Sequence, residues 1–250
     1  MTVTIERLGS ARVVRWEQAG RLNAWTRETI EAIADAIEGA GDDEATRSVV
    51  VRGAGENFSA GDDLHAALAA DDAAWAATIA AFQRLTRVTL AAPVPVLAAI
   101  DGVCIGGALE FAASCDARIA TDRARFATPE VGIGLVATNA GTLLLPEVLG
   151  ETAARELLLS GAIRDAQWAL RNRFVSELTA PGELDSRVSA WVEQFDGRSR
   201  TAVARTKALL NARLGELVAA AMDREERACI ELFAGPDAPG ALRAFADRAR

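Results

Sequence analysis

The pattern that most restricts this chain is a unit that occurs at least twice: a short apolar run, a glycine-rich turn, then a helix start. Residues 48–51 read as a buried strand followed by the Gly-rich loop 53–64, and residues 96–100 read as a second strand followed by the turn Asp101-Gly102 and a helix from Gly106. Alternating residues 2–8 and 12–16 predict two strands joined at Gly9-Ser10. Thr26 opens a helix with Ile30, Ile33, Ala34 and Ile37 on one face, and a second helix over about 72–90 is stopped by Pro93 and Pro95. Residues 116–126 predict two short strands around a charged turn, and from Thr142 the chain reads as mainly helical. The breaks at Pro181-Gly182 and at 234–240 are too short for interdomain linkers. The expectation is an α/β core over 1–190 and a helical C-terminal subdomain over 191–250.

The side-chain inventory narrows the chemistry. The 250 residues hold one His (His65), one Lys (Lys207) and no Tyr, so proton transfer near neutral pH falls to carboxylates unless a cysteine or His65 performs it. Lys+Arg number 27 against Asp+Glu at 35, a net charge of -8, which argues against nucleic acid as the main partner. Cys104, Cys115 and Cys229 fit no zinc-ligand spacing and read as reduced, mostly buried thiols of a cytoplasmic protein. No metal site is expected. The first residues lack the apolar core of a secretory signal, and the uncharged run 131–146 is too short to span a bilayer.

Three segments can carry chemistry. The glycines of 53–64 allow backbone N–H groups to approach a ligand, although the spacing matches neither a dinucleotide fingerprint nor a P-loop. Gly106, Gly107 and Ala108 leave the first N–H groups of a helix open, where the helix dipole favours a developing oxyanion, and Glu110 follows about one turn in. Glu130 lies between apolar stretches, a setting that raises a carboxyl pKa toward what a general acid needs. Each segment also has an ordinary reading: a surface turn, a dipole-complementing Glu, a solvated Glu. His65 has no second His, Cys or nucleophile motif near it in sequence and reads as non-catalytic.

Together these segments are more specific than any one of them. RLNAW (21–25), GAGENFSAGDDL (53–64), DGVCIGGALEFAASCDARIAT (101–121), ARFATPEVGIGL (124–135), ELLLSGAIRDAQWAL (156–170) and RTKALLNA (205–212) resemble the crotonase superfamily, or enoyl-CoA hydratase/isomerase family, over nearly the whole chain. The resemblance implies an α/β fold, a spiral of ββα units with a C-terminal helical region that supports homotrimers or dimers of trimers. It implies a CoA thioester substrate, no permanently bound cofactor, and an enolate held by two backbone N–H groups, here of Asp62 and Gly107. Leu22, Ala60, Asp63 and Leu64 match the family's CoA-binding surface, and Arg248 matches a C-terminal basic residue that meets CoA.

Glu110 and Glu130 match the family's two glutamates that distinguish hydratases. The implied reaction is addition of water to a trans-2-enoyl-CoA, with Glu110 deprotonating water for attack on Cβ and Glu130 protonating Cα. A Δ3-Δ2-enoyl-CoA isomerase or another crotonase-type lyase or hydrolase, and a non-catalytic acyl-CoA-binding protein, are the alternatives. Where typical hydratases have Pro-Gly-Ala-Gly-Gly-Thr, this chain has Ala137-Thr138-Asn139-Ala140-Gly141-Thr142. The resemblance puts Thr138 and Asn139 at the acyl pocket and water site.

Overall fold

Strands β1 (Thr2–Leu8) and β2 (Ala11–Glu17) pair as an antiparallel hairpin whose turn is taken by Gly9 at φ 57. These coordinates are a computed structural model that describes residues 2–18 and 20–248, with the side chains of 239 and 245–248 outside the description. Helix α1 (Arg27–Glu38) leads to β3 (Ser48–Gly53), and α2 (Leu64–Ala69) and α3 (Asp72–Ala91) lead to β4 (Val96–Ile100). The short β5 (Val103–Ile105) feeds α4 (Gly107–Ser114), then β6 (Ala117–Thr121) and β7 (Arg125–Ala127). After a single 3-10 turn at Pro129–Ile133 come α5 (Gly141–Leu149), α6 (Glu151–Ser160), β8 (Arg164–Asp165), α7 (Ala166–Arg171) and β9 (Glu177–Thr179). Helices α8 (Leu184–Glu193), α9 (Arg200–Ala212), α10 (Gly215–Phe233) and α11 (Asp237–Arg248) complete the chain.

The main sheet has the order β1-β2-β3-β4-β6-β9, parallel from β2 onward. Its central strands are continuous apolar runs because both faces are covered. The two-residue period divides them: Val14, Val49, Val51, Val96, Ala98 and Ile100 enter the larger core, while Val13, Val50, Leu97 and Ala99 pack against Leu184, Val188 and Val192 of α8. A second sheet, β5-β7-β8, stands beside the first and carries the chain ends that build the site. The architecture is the expected α/β one. The sequence reading of a helical run from Thr142 onward needs one correction, since β8 and β9 interrupt it. They span two and three residues, too few to show a strand period, and form because β7 and β6 present open edges.

The C-terminal helices pack on this core through Leu214, Val218, Ala221 and Met222. Lys207 on α9 is buried, and its Nζ donates to Thr89 O (2.9 Å), Val94 O (3.2 Å) and the Asp116 carboxylate (2.6 Å). The single lysine is therefore a tie between α9 and the corner leading into β4. All three cysteines are free and buried.

Candidate active site

The Gly-rich loop is held on both sides by backbone pairing. Trp25 N–H donates to Gly61 O (2.7 Å) and Asp63 N–H to Trp25 O (2.9 Å), while Ser59 N–H donates to Val103 O (2.9 Å) and Ile105 N–H to Ser59 O (3.1 Å). This stitching sets the loop against the start of α4. A Cβ at Gly61, where φ is +85°, would lie 2.7 Å from Ile105 O and 3.3 Å from Gly107 N, so the approach requires glycine. Among the described residues, neither Asp62 N–H nor Gly107 N–H has a hydrogen-bond partner. Both residues line one cavity of about 440 Å³, and they bring two free backbone donors to its wall.

Two carboxylates reach the same cavity from different elements. Glu110 lies in the first turn of α4 and is buried, and its Oε2 accepts from Thr138 N–H (3.1 Å) and Asn139 N–H (2.9 Å). Glu130 stands on the 3-10 turn after β7, with Oε1 3.0 Å from where a Cβ of Gly106 would sit and Oε2 buried without a partner. Burial raises the Glu110 pKa well above the ordinary carboxylate range, the charges of Glu130 and Glu225 add to this, and the two N–H bonds oppose it. Burial likewise raises Glu130 to about 7. Two interacting acids of this kind titrate as a pair.

The other predicted positions separate by role. Leu22 (52% exposed, φ 50), Ala60, Leu64 and Thr138 line the cavity. Asp63 lines it too, but its carboxylate caps α2 through His65 N–H (3.0 Å) and accepts from Arg21 (2.7 Å). Burial alone would raise Asp63, yet Arg21 and the His65 N–H hold it below its ordinary value. Burial first, then the Asp63 charge, raise Asp62 to about 7. Asn139 is fully buried and is not part of the cavity wall. Its backbone N–H reaches Glu110, and its side-chain Oδ1 and Nδ2 have no partner. Arg248 ends α11, and its side chain lies outside the described residues. His65 is exposed at the cavity rim.

Sequence reasoning missed the far end of the cavity, where Trp75, Ile79, Ile133, Leu135 and Cys229 form an apolar cluster that joins α3 to α10 and α11. Burial pushes the Cys229 thiol up to about 11. It also missed Glu225, a buried carboxylate on α10. The apolar face of that helix runs Val218, Ala221, Met222, Glu225, Cys229, and an acidic residue within such a stripe is the signal that marks it. Among the described residues no cluster of three or more His, Cys, Asp or Glu side chains could hold a metal ion. Among the described residues no helix is long and apolar enough to cross a membrane.

A cavity that joins two buried carboxyls of raised pKa to free backbone donors has the make-up of an enzyme site working by proton transfer and oxyanion stabilisation. The sequence model of the enoyl-CoA hydratase/isomerase family matches residues 9–250, and the chain belongs to that family. It is 32% identical over 229 residues to a crotonyl-CoA hydratase of Syntrophomonas wolfei, covering 91% of this chain and 88% of the relative. It is 29% identical over 247 residues to a short-chain-enoyl-CoA hydratase of Clostridium acetobutylicum, covering 98% and 95%. The crystal structure of an enoyl-CoA hydratase from Mycobacterium avium subsp. paratuberculosis K-10 superposes with a TM-score of 0.89 at 26% identity, over 98% of this chain and 96% of that one. The crotonase fold and an enzyme of the enoyl-CoA hydratase/isomerase family follow, with CoA thioesters as the substrate class.

Proposed function

We propose that the protein is an enoyl-CoA hydratase that adds water across the C2–C3 double bond of a trans-2-enoyl-CoA. The observation that carries this reading is the asymmetry of the two cavity carboxylates. Glu110 receives two N–H donors, which favour its charged form, whereas Glu130 has a buried oxygen with no partner and a pKa raised to about 7. In this reading the hydrogen bonds place the negative charge on Glu110 and the pair's shared proton on Glu130, against the burial and neighbouring charges that also raise Glu110 well above the ordinary range.

The thioester oxygen sits between the N–H groups of Asp62 and Gly107, where the dipole of α4 adds positive potential. Glu110 takes a proton from water as its oxygen bonds to Cβ, and the double-bond electrons move onto the thioester oxygen. The enolate then returns its electrons to Cα, which takes the proton of Glu130. Glu110 now holds the pair's proton and returns it to Glu130 by exchange through water. Leu22, Ala60, Asp63, Leu64 and Arg248 are assigned to CoA, with Asp63 acting through Arg21 and the capped α2. Thr138 borders the acyl group, and Asn139 contributes its main chain to Glu110.

Exposed Leu209, Leu210 and Leu217 on α9 and α10 support assembly of region 191–250 into a homotrimer or dimer of trimers. Three free buried thiols support a cytoplasmic location.

The test is loss of the conjugated-enoyl absorbance over a panel of short, medium, long and aromatic enoyl-CoAs. Glu110→Gln and Glu130→Gln should each lower kcat by about 10² to 10⁴. A wild type that hydrates no member of the panel refutes the reading. An isomerase would convert 3-enoyl-CoA through Glu130 alone and survive Glu110→Gln.

A further inference from the structure

The loop at 138–142 divides its backbone donors between two buried carboxylates that come from distant parts of the chain. Thr138 and Asn139 N–H donate to Glu110 Oε2 at 3.1 and 2.9 Å. The next donors turn the other way: Ala140 N–H reaches Glu225 Oε2 at 2.7 Å, and Thr142 N–H and hydroxyl reach Oε1 at 2.8 and 2.5 Å. The switch falls at Ala140, a non-glycine residue held in the left-handed region at φ 60, ψ 26. Such a conformation is unfavourable for alanine and persists only where its surroundings enforce it.

Glu225 is 5% exposed and, among the described residues, has no cationic partner. Arg87 of α3 bonds to Met222 Sδ (3.4 Å), and neighbouring Glu226 accepts from Gln83 (3.2 Å). The charge of Glu225 is thus met only by the first-turn donors of α5 and that helix's dipole. Burial raises its pKa and the bonds from Thr142, Ala140 and Gly141 counter the rise. The groups that face Glu110 electrostatically are Glu130 on the 3-10 turn, Glu225 on α10 and, one turn further along α10, Cys229. Because adjoining peptide units carry the donors to both carboxylates, a shift of residues 140–142 moves the N–H groups that hold Glu110.

We propose that Glu225 is a positioning residue: from the C-terminal helix α10 it pins the 138–142 loop so that the N–H groups of Thr138 and Asn139 hold Glu110 ready to accept a proton. The inference rests on the hydratase reading for its rate measurement, and α10 then belongs to the reaction apparatus as well as to the packing of the fold.

Two measurements on the full-length protein test it. The first is kcat and KM for hydration of a trans-2-enoyl-CoA by Glu225→Gln and Glu225→Asp. The Gln variant should lose about tenfold or more in kcat with KM changed less than about threefold, and Asp, which keeps the charge, should recover part of the loss. The second is the pH titration of the Thr138 and Asn139 amide resonances, which report the ionisation of Glu110. The size of that pH-dependent shift should fall by about half or more in Glu225→Gln, since loosened Thr138 and Asn139 N–H groups no longer sit against Glu110 Oε2. An undiminished amide titration, or an unchanged kcat, overturns the proposal, and so does an Asp variant no better than Gln. If Glu225→Gln does not fold, Thr142→Val removes the hydroxyl donor to Glu225 and should diminish the amide titration by less; no change there also overturns it. A wild type that turns over no enoyl-CoA sinks the hydratase reading alone, and the amide titration still decides the role of Glu225.

Discussion

Glu130→Gln should stabilise the folded protein, and increasingly so as pH rises. The carboxyl has an ordinary value of 4.5 and is raised to about 7 in the fold, chiefly by burial. A carboxyl whose folded pKa lies above its unfolded value favours folding only while it stays protonated. Below the unfolded pKa both states hold the proton and nothing is lost. Between the two values the unfolded chain ionises while the folded one does not, and the penalty grows until pH passes about 7, where it levels off. The full gap corresponds to about 3 kcal/mol, trimmed to about 2 to 3 because Glu130 titrates together with Glu110. Gln fills the same space without ionising, so the stability difference between variant and parent should widen by about 1 to 2 kcal/mol from about pH 5.5 to about pH 8. For a chain of this size that is about 2 to 8 °C in Tm. Thermal unfolding of both proteins, at one protein concentration and in buffers of matched ionic strength, reads it directly. A Tm gap that stays constant or narrows toward high pH would refute the claim that burial of this carboxyl raises its pKa.

Three further outcomes follow from the same coordinates. Asp62→Asn keeps the main-chain donor and removes a carboxyl that ionises above about 7 beside the enolate oxygen. Its kcat/KM should lie within about threefold of the parent near pH 6 and exceed it above about pH 8, as read from a pH profile. Gly141→Ala would place a Cβ 2.5 Å from Glu110 Oε2. It should displace that carboxylate and lower kcat about 10²-fold in the hydration assay. Lys207→Met leaves the Asp116 carboxylate and the Thr89 and Val94 carbonyls without their buried donor, and should cost about 3 kcal/mol in denaturant unfolding.

What the sequence discloses and what it hides divide along physical lines. Strands β3 and β4 are legible because burial on both faces demands an uninterrupted apolar run, and the loop and turn glycines are legible because few other residues permit such close approaches. Glu110 and Glu130 stand out as acids within apolar surroundings. The two donors are backbone groups, so no side chain announces them. Only the family resemblance points to them, and an Asp at position 62 is a side chain that would not suggest the role. Glu225 meets Ala140 across 85 positions of sequence, and only its place on the apolar face of α10 betrays it.

The scarcity of cations near the site bears directly on the proposed hydration. Asp63 and Asp101 are also substantially buried, yet Arg21 and Arg123 keep both below their ordinary value, so neither carries a proton near neutral pH. Between Arg125 and Glu147 the only charged residue is Glu130, and among the described residues no Arg or Lys forms an ion pair with Glu110, Glu130 or Glu225. Burial is then opposed only by N–H groups, and both cavity carboxyls stay above their ordinary value, Glu130 at about 7. A single arginine placed against Glu130 would pull its pKa down and remove the proton donor that the proposed hydration requires.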